Sequence, residues 1–237
     1  MDKSALQLAS RFTLPPNSLG YCGKNTAPAK FITCAIDGRC SGVEAELTKF
    51  IVLHPYLATL PAITGQAKFS YTNIEAYWLG NAELSKATLA HYSLLLDNFT
   101  KQGVPDWLVE ELRHKFPKKF IPFHLFQILH VGVGRASGAV PFNIDTINNC
   151  MVRWGPVTKI AGDHLTVKLR SLKQVTNRYQ LTINSQSFTY RLDFLPSMAV
   201  GSIVAIHWQQ VVKILTPPEI AHLDYWTRQV IATVQPA

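Results

Sequence analysis

Apolar residues recur at three- and four-residue spacing through the first half of the chain and switch to strict alternation in the second, so the pattern predicts helices followed by strands. Lys3 to Phe12 reads as a short amphipathic helix, which Pro15-Pro16-Asn17 is expected to end in an extended turn. Val43, Leu47, Phe50, Ile51 and Leu57 continue the helical period, with Pro55 expected to end a first helix near His54. Further helices are predicted around Asn73 to Leu79, over Glu83 to Gln102 with Gly103 as its stop, and from Pro105-Asp106 through Leu108, Leu112 and Phe116. Asp106, Glu110 and Glu111 stand near the positive end of that last helix.

Phe120 to Val131 is a near-continuous apolar run, too short to span a membrane, that fits a buried strand or helix. On a strand His124 and His130 share a face and form a second metal or acid-base pair, whereas on a helix they diverge. Gly132-Val133-Gly134-Arg135-Ala136-Ser137-Gly138 lacks the Gly-Lys-Ser/Thr of a phosphate loop and reads as a connection. Beyond it, Leu165, Val167 and Leu169 alternate with Thr166, Lys168 and Arg170, and Phe188, Tyr190 and Leu192 with Thr189, Arg191 and Asp193. Turns at Ala161-Gly162-Asp163 and Asn184-Ser185-Gln186 divide these strands into hairpins, as a small, partly open oligomer-binding barrel requires. Pro217-Pro218-Glu219 opens a terminal helix through Ile220, Leu223, Trp226 and Val230. The expectation is an α+β protein, with a mostly helical N-terminal domain over residues 1–140 and a small OB-like β-barrel with a C-terminal helix over residues 145–237.

Composition narrows the class. With 47% hydrophobic and 16% charged residues the chain is an ordinary folded one, which excludes disorder. Its formal net charge of +8 invites an acidic partner or nucleic acid, but the cations are dispersed, as on a solvated face. No apolar stretch reaches spanning length and the start lacks the order of a signal peptide, so the expected location is cytoplasmic, with no membrane partner. Four cysteines without regular pairing fit reduced thiols better than a disulfide framework.

The chemistry concentrates on Cys150 and on His207, which ends the apolar run Ile203 to Ile206. A soft sulfur and an imidazole suit iron or zinc, and two donors make an open site of the kind a carrier uses, since closed structural sites take four. Met151, Arg153 and Trp154, beside Cys150, are expected to be partly exposed and to meet the partner. Cys22, between glycines in Leu19-Gly20-Tyr21-Cys22-Gly23, is a secondary candidate together with His124 and His130. Cys22, Cys34 and Cys40 lack the close pairs of zinc ribbons and read as independent or structural residues.

Four pieces in register carry a resemblance: Cys150-Met151-Val152-Arg153-Trp154-Gly155-Pro156-Val157, Leu192-Asp193-Phe194-Leu195-Pro196, Val200 to His207, and Val212 to Glu219. This last third resembles the HypC/HupF family of nickel–iron hydrogenase assembly chaperones, whose members begin Met-Cys-Leu-Ala-Ile-Pro-Gly and continue to Val-Gly-Asp-Tyr-Val-Leu-Val-His. The resemblance implies a non-enzymatic metallocentre assembly chaperone that transiently carries iron with cyanide and carbonyl ligands on Cys150 and His207. Its implied partner is an assembly factor or a hydrogenase large subunit. Here Cys150 lies deep within the chain, Trp154 stands where the family has proline, and Trp208-Gln209-Gln210 replaces Gly-Phe-Ala. Pro15-Pro16-Asn17 with Leu19 to Gly23 also resembles the start of an uncharacterised prokaryotic family. Two other classes fit the residues: an oligonucleotide-binding module using the basic barrel, and an enzyme with a cysteine/histidine site at the domain junction.

Overall fold

The computed structural model describes residues 2–23, 27–176, 178–191 and 193–234, and it is α+β. Helix α1 (Lys3–Ser18) is capped by the Asp2 carboxylate, which accepts from the Ala5 amide at 3.1 Å. It does not stop before its prolines: Pro15 and Pro16 lie inside its last turns, where the only intrahelical bonds forfeited are those to residues four positions back. The carbonyl that Pro16 leaves without a helical donor is that of Phe12, and it is used by the site described below. Helix α2 (Pro28–Asp37) ends at Gly38 in the left-handed conformation, φ 67°. That reversal returns the chain so that Cys40 meets Cys34 in a disulfide, which corrects the expectation of reduced thiols for this pair.

The predicted helix over residues 42–60 is two helices, α3 (Val43–Leu47) and α4 (Leu53–Thr64). The break falls before Leu53 and not at Pro55, which sits in the first turn of α4, where a missing amide hydrogen costs nothing. Helices α5 (Tyr71–Trp78), α6 (Leu89–Gln102) and α7 (Asp106–His114) follow the predicted periods. The stretch from Glu83 is interrupted, because Thr88 and His91 form a capping box that starts α6 afresh after a 3-10 turn at Ala82–Lys86. The apolar run at 120–131 turns helical from His124 on: α8 (His124–Phe126) passes directly into a π-helical turn over Gln127–Gly132. Helix α9 (Ile144–Cys150) then leads to the sheet.

Strands β1 (Arg153–Ala161), β2 (His164–Val175), β3 (Arg178–Thr189), β4 (Ile203–His207) and β5 (Gln210–Ile214) form one antiparallel sheet in the order β3-β2-β1-β4-β5. Strand β1 changes partner along its length: Arg153–Pro156 pair with β4, and after a bulge at Val157/Lys159 the remainder pairs with β2. At Gly155 it passes so close to β2 that an added Cβ would stand 1.8 Å from the Lys168 carbonyl oxygen. The sheet is open and does not close into a barrel. Strand β5 is short and bonds only to β4, while β3 is spent along its whole length on β2. Between the two ends there is only side-chain contact, such as Gln186 Nε2 donating to Gln209 Oε1 at 3.4 Å. The turn expected at Asn184-Ser185-Gln186 lies inside β3, because these polar residues occupy an edge strand facing water; the hairpin turns at Val175–Arg178 instead. Of the alternating run, Leu192 lies outside the described residues.

Helix α10 (Pro217–Thr233) returns to the helical part, with Leu223, Trp226 and Val230 buried. Trp226 Nε1 donates to the Asn81 carbonyl at 2.9 Å, and its ring fills the space that a side chain at Gly80 would need. One continuous apolar core runs from Ala5 to Val234 through helices and sheet alike. No helix among the described residues is long and apolar enough to cross a membrane.

Candidate metal centre

Three buried donors meet where the sheet abuts the helices. His124 comes from the start of α8, Cys150 from the end of α9 and His207 from the end of β4, and one ligand atom from each lies within 4.8 Å of the others. Each is placed by local structure. Asn148 acts as a surrogate strand, its Nδ2 donating to the Leu172 carbonyl at 2.9 Å and its Oδ1 accepting from the Leu172 amide at 2.7 Å; this seats α9 on β2 and fixes Cys150. His207 precedes a two-residue turn in which Trp208 (φ 46°) and Gln209 (φ 63°) are both left-handed, a conformation usually given to Asn-Gly. The turn is held by the Trp208 amide donating to the Asn149 carbonyl at 2.7 Å and by Trp208 packed on Tyr21 with ring centroids 4.7 Å apart.

The tautomer of His207 follows from α1. The Phe12 carbonyl, which has no helical donor because residue 16 is proline, lies 2.7 Å from His207 Nδ1 and can only accept. Nδ1 therefore carries the hydrogen and Nε2 carries a lone pair. That Nε2 is buried and has no hydrogen-bond partner, an arrangement that costs free energy unless something accepts the lone pair. Burial drives the ring's pKa down to about 3, against the Phe12 and Cys150 carbonyls, which favour the charged form.

His124 is set by a chain of bonds. His124 Nδ1 lies 2.9 Å from the Tyr77 hydroxyl oxygen, which leaves Nε2 to face Cys150. That nitrogen lies 3.8 Å from Cys150 Sγ and 2.9 Å from the Cys150 carbonyl oxygen. That carbonyl can only accept, so Nε2 carries the hydrogen and donates it to Cys150; binding a cation at Nε2 requires the hydrogen to move to Nδ1, toward the Tyr77 oxygen. Burial, and then the neighbouring His207, hold the His124 pKa well below its ordinary value. Burial likewise raises the Cys150 thiol well above its ordinary value, with Cys22 adding to the effect and Trp208 opposing it. The donor set is thus neutral: His207 with its Nε2 lone pair directed inward, His124 donating Nε2–H to the Cys150 carbonyl, and one protonated thiol.

Two nitrogens and one sulfur fit a borderline or soft transition ion and not a hard one. Metal–nitrogen and metal–sulfur lengths near 2.0 and 2.3 Å would draw the donors together by on the order of an ångström. Trp78 walls the site, its ring 4.4 Å from His124 and 5.3 Å from His207, and Phe12 stacks on its other side at 5.0 Å. Alongside the donors lies a cavity of about 470 Å³, lined also by Tyr21, Cys22, the 132–140 segment and Trp208.

Of the residues singled out from the sequence, Cys150, His207 and His124 converge. His130 does not: the helical turn sends it away, where it meets the Tyr92 hydroxyl at 2.8 Å, so His124 and His130 are no pair. Met151, Arg153 and Trp154 are buried and form no partner surface, because β1 runs through the middle of the sheet. Arg153 reaches Gln186 Oε1 at 2.9 Å and lies over Phe188. The reading of the sequence missed Phe12, Tyr77 and Trp208. Only Pro16, with the helical carbonyl it must leave free, offered a signal.

A family model matches residues 1–237. The chain belongs to the family of unknown function DUF6390. No curated protein and no solved structure matches this DUF6390 member.

Proposed function

We propose that this protein is a cytoplasmic, HypC-like metallocentre assembly carrier that takes up an iron-ligand unit as cargo on Cys150, His207 and His124, for nickel–iron hydrogenase maturation. The observation that carries the reading is the unpartnered, buried His207 Nε2, aimed into a site that also holds a thiol and a second imidazole. The cavity supports it, since small ligands on the iron need space beside the donors and 470 Å³ falls within the usual range of ligand pockets. A protonated thiol beside an uncharged ring is a poor nucleophile, which disfavours covalent catalysis at the same residues.

The test is anaerobic purification followed by metal analysis, infrared spectroscopy of bound cyanide and carbonyl, and capture of an assembly factor or hydrogenase large subunit. Cys150→Ala and His207→Ala are expected to lose metal and complex formation with the fold retained. Full metal content and partner capture in Cys150→Ala would overturn the reading.

A further inference from the structure

Cys22 and Cys150 are the free cysteines among the described residues, and both line the same cavity. They differ in access. Cys150 is buried, whereas Cys22 is exposed as a residue, with a thiol desolvated enough that its pKa is pushed up to about 11. The segment bearing Cys22 is built to hold a bend: Gly20 and Gly23 both have positive φ, and the Cys22 carbonyl accepts from Asn17 Nδ2 at 2.8 Å. Tyr21 packs on Trp208, the residue after His207, so the Cys22 bend and the turn that carries the inner ligand are mechanically joined.

Cys22 lies outside the group whose ligand atoms are mutually within 4.8 Å, so it is not a member of the inner set as it stands. The inner set nonetheless has three donors where a four-coordinate ion takes four. The inward-facing lone pair on His207 Nε2, buried and without a partner, is independent of Cys22 and marks the cavity floor as the place a cation goes.

We propose that Cys22 is the exchange ligand of this site: it receives a transition-metal ion, brings it to Cys150, His124 and His207, and stays as a fourth, labile ligand through which the ion is released. The inference rests on the metal-carrier reading above. The transfer is balanced without oxidation or reduction. On uptake the Cys22 S–H bond is replaced by a sulfur–metal bond and the proton leaves to solvent. On transfer Cys22 stays bound while the Cys150 S–H bond is replaced by a second sulfur–metal bond, that proton also leaving to solvent, and release reverses these steps. The two imidazoles are neutral and release no net proton: His207 enters with its Nε2 lone pair, and His124 moves its hydrogen from Nε2 to Nδ1.

Cobalt(II) alone, added anaerobically to the full-length chain, is the probe, because thiolate-to-cobalt absorption reports how many sulfurs are bound. In Cys22→Ser, with folding verified by circular dichroism, that absorption should fall toward the value for one sulfur. Loading and chelator-driven release should both slow by about tenfold or more, the scale on which a metal site responds to loss of one supporting group. Cys150→Ala should keep a weak, rapidly formed signal that disappears when Cys22→Ser is added. Wild-type absorption and wild-type rates in Cys22→Ser would overturn the exchange role and leave the carrier reading standing. Full cobalt affinity in Cys150→Ala, or no cobalt binding by the wild type, would remove the carrier reading and this inference with it.

Discussion

Acidification offers a direct check on the neutral, lone-pair-bearing imidazoles. In the unfolded chain a histidine titrates near 6.5, whereas burial brings His207 to about 3 and His130 to about 4 in the folded protein. Between those values and 6.5 the unfolded state holds a proton that the folded state does not, so stability is fully present above pH 6.5 and declines as the pH falls. The slope is about 1.4 kcal/mol per pH unit for each such ring. Going from pH 7 to pH 5 therefore removes roughly 2 kcal/mol for each of His207 and His130, and His124 acts in the same direction. Domains of ordinary stability have about 5–15 kcal/mol in all, so the loss is easily read. The carboxylates with lowered pKa, Asp2, Glu46, Glu111 and Asp193, lose their contributions only below their ordinary values of 3.8 to 4.5, which keeps this window to the histidines. Urea unfolding of metal-free protein at the two pH values, followed by tryptophan fluorescence, measures it. His207→Gln and His130→Gln should each be less stable at pH 7 and less sensitive to pH. A wild type equally stable at pH 5 and 7, or a His207→Gln protein with the wild-type dependence, would refute the buried neutral ring.

Pro16→Ala returns an amide hydrogen to the Phe12 carbonyl and competes with His207 Nδ1; helix stability should be kept or improved while cobalt affinity, measured by titration, falls. Gly155→Ala should give no soluble folded protein, because the new Cβ meets the Lys168 backbone at 1.8 Å; expression and circular dichroism show it. Arg153→Met removes a buried guanidinium whose Nε and Nη2 have no partner, and thermal melts should find the variant as stable as the wild type or more so, by about 1–4 kcal/mol.

Much of the fold is legible in the chain because period and burial agree. Leu165, Val167 and Leu169 alternate in the sequence and are buried in β2, and Leu223, Trp226 and Val230 mark the buried face of α10. Cys150 and His207 stand out as a sulfur and a nitrogen donor at element ends. What local pattern does not carry is long-range. Whether residues 120–131 are strand or helix decides if His124 faces Cys150 or His130, and a uniformly apolar run has no period from which to decide. The prolines of α1 mislead for a related reason: near a helix end they are tolerated, and their effect appears as a freed carbonyl bonded to a residue 195 positions away. The open sheet is likewise set by how little of β5 is available to pair, a fact of register and not of composition.

That 195-residue separation also sets a clock during synthesis. At about 5–20 residues per second a ribosome delivers His207 roughly ten to forty seconds after the Phe12 carbonyl that orients it. Throughout that interval α1 can form and Cys150 can emerge, but the donor set lacks the ring that closes it. A nascent chain thus lacks the complete donor set until β4 has been made, and the finished site belongs to the finished molecule.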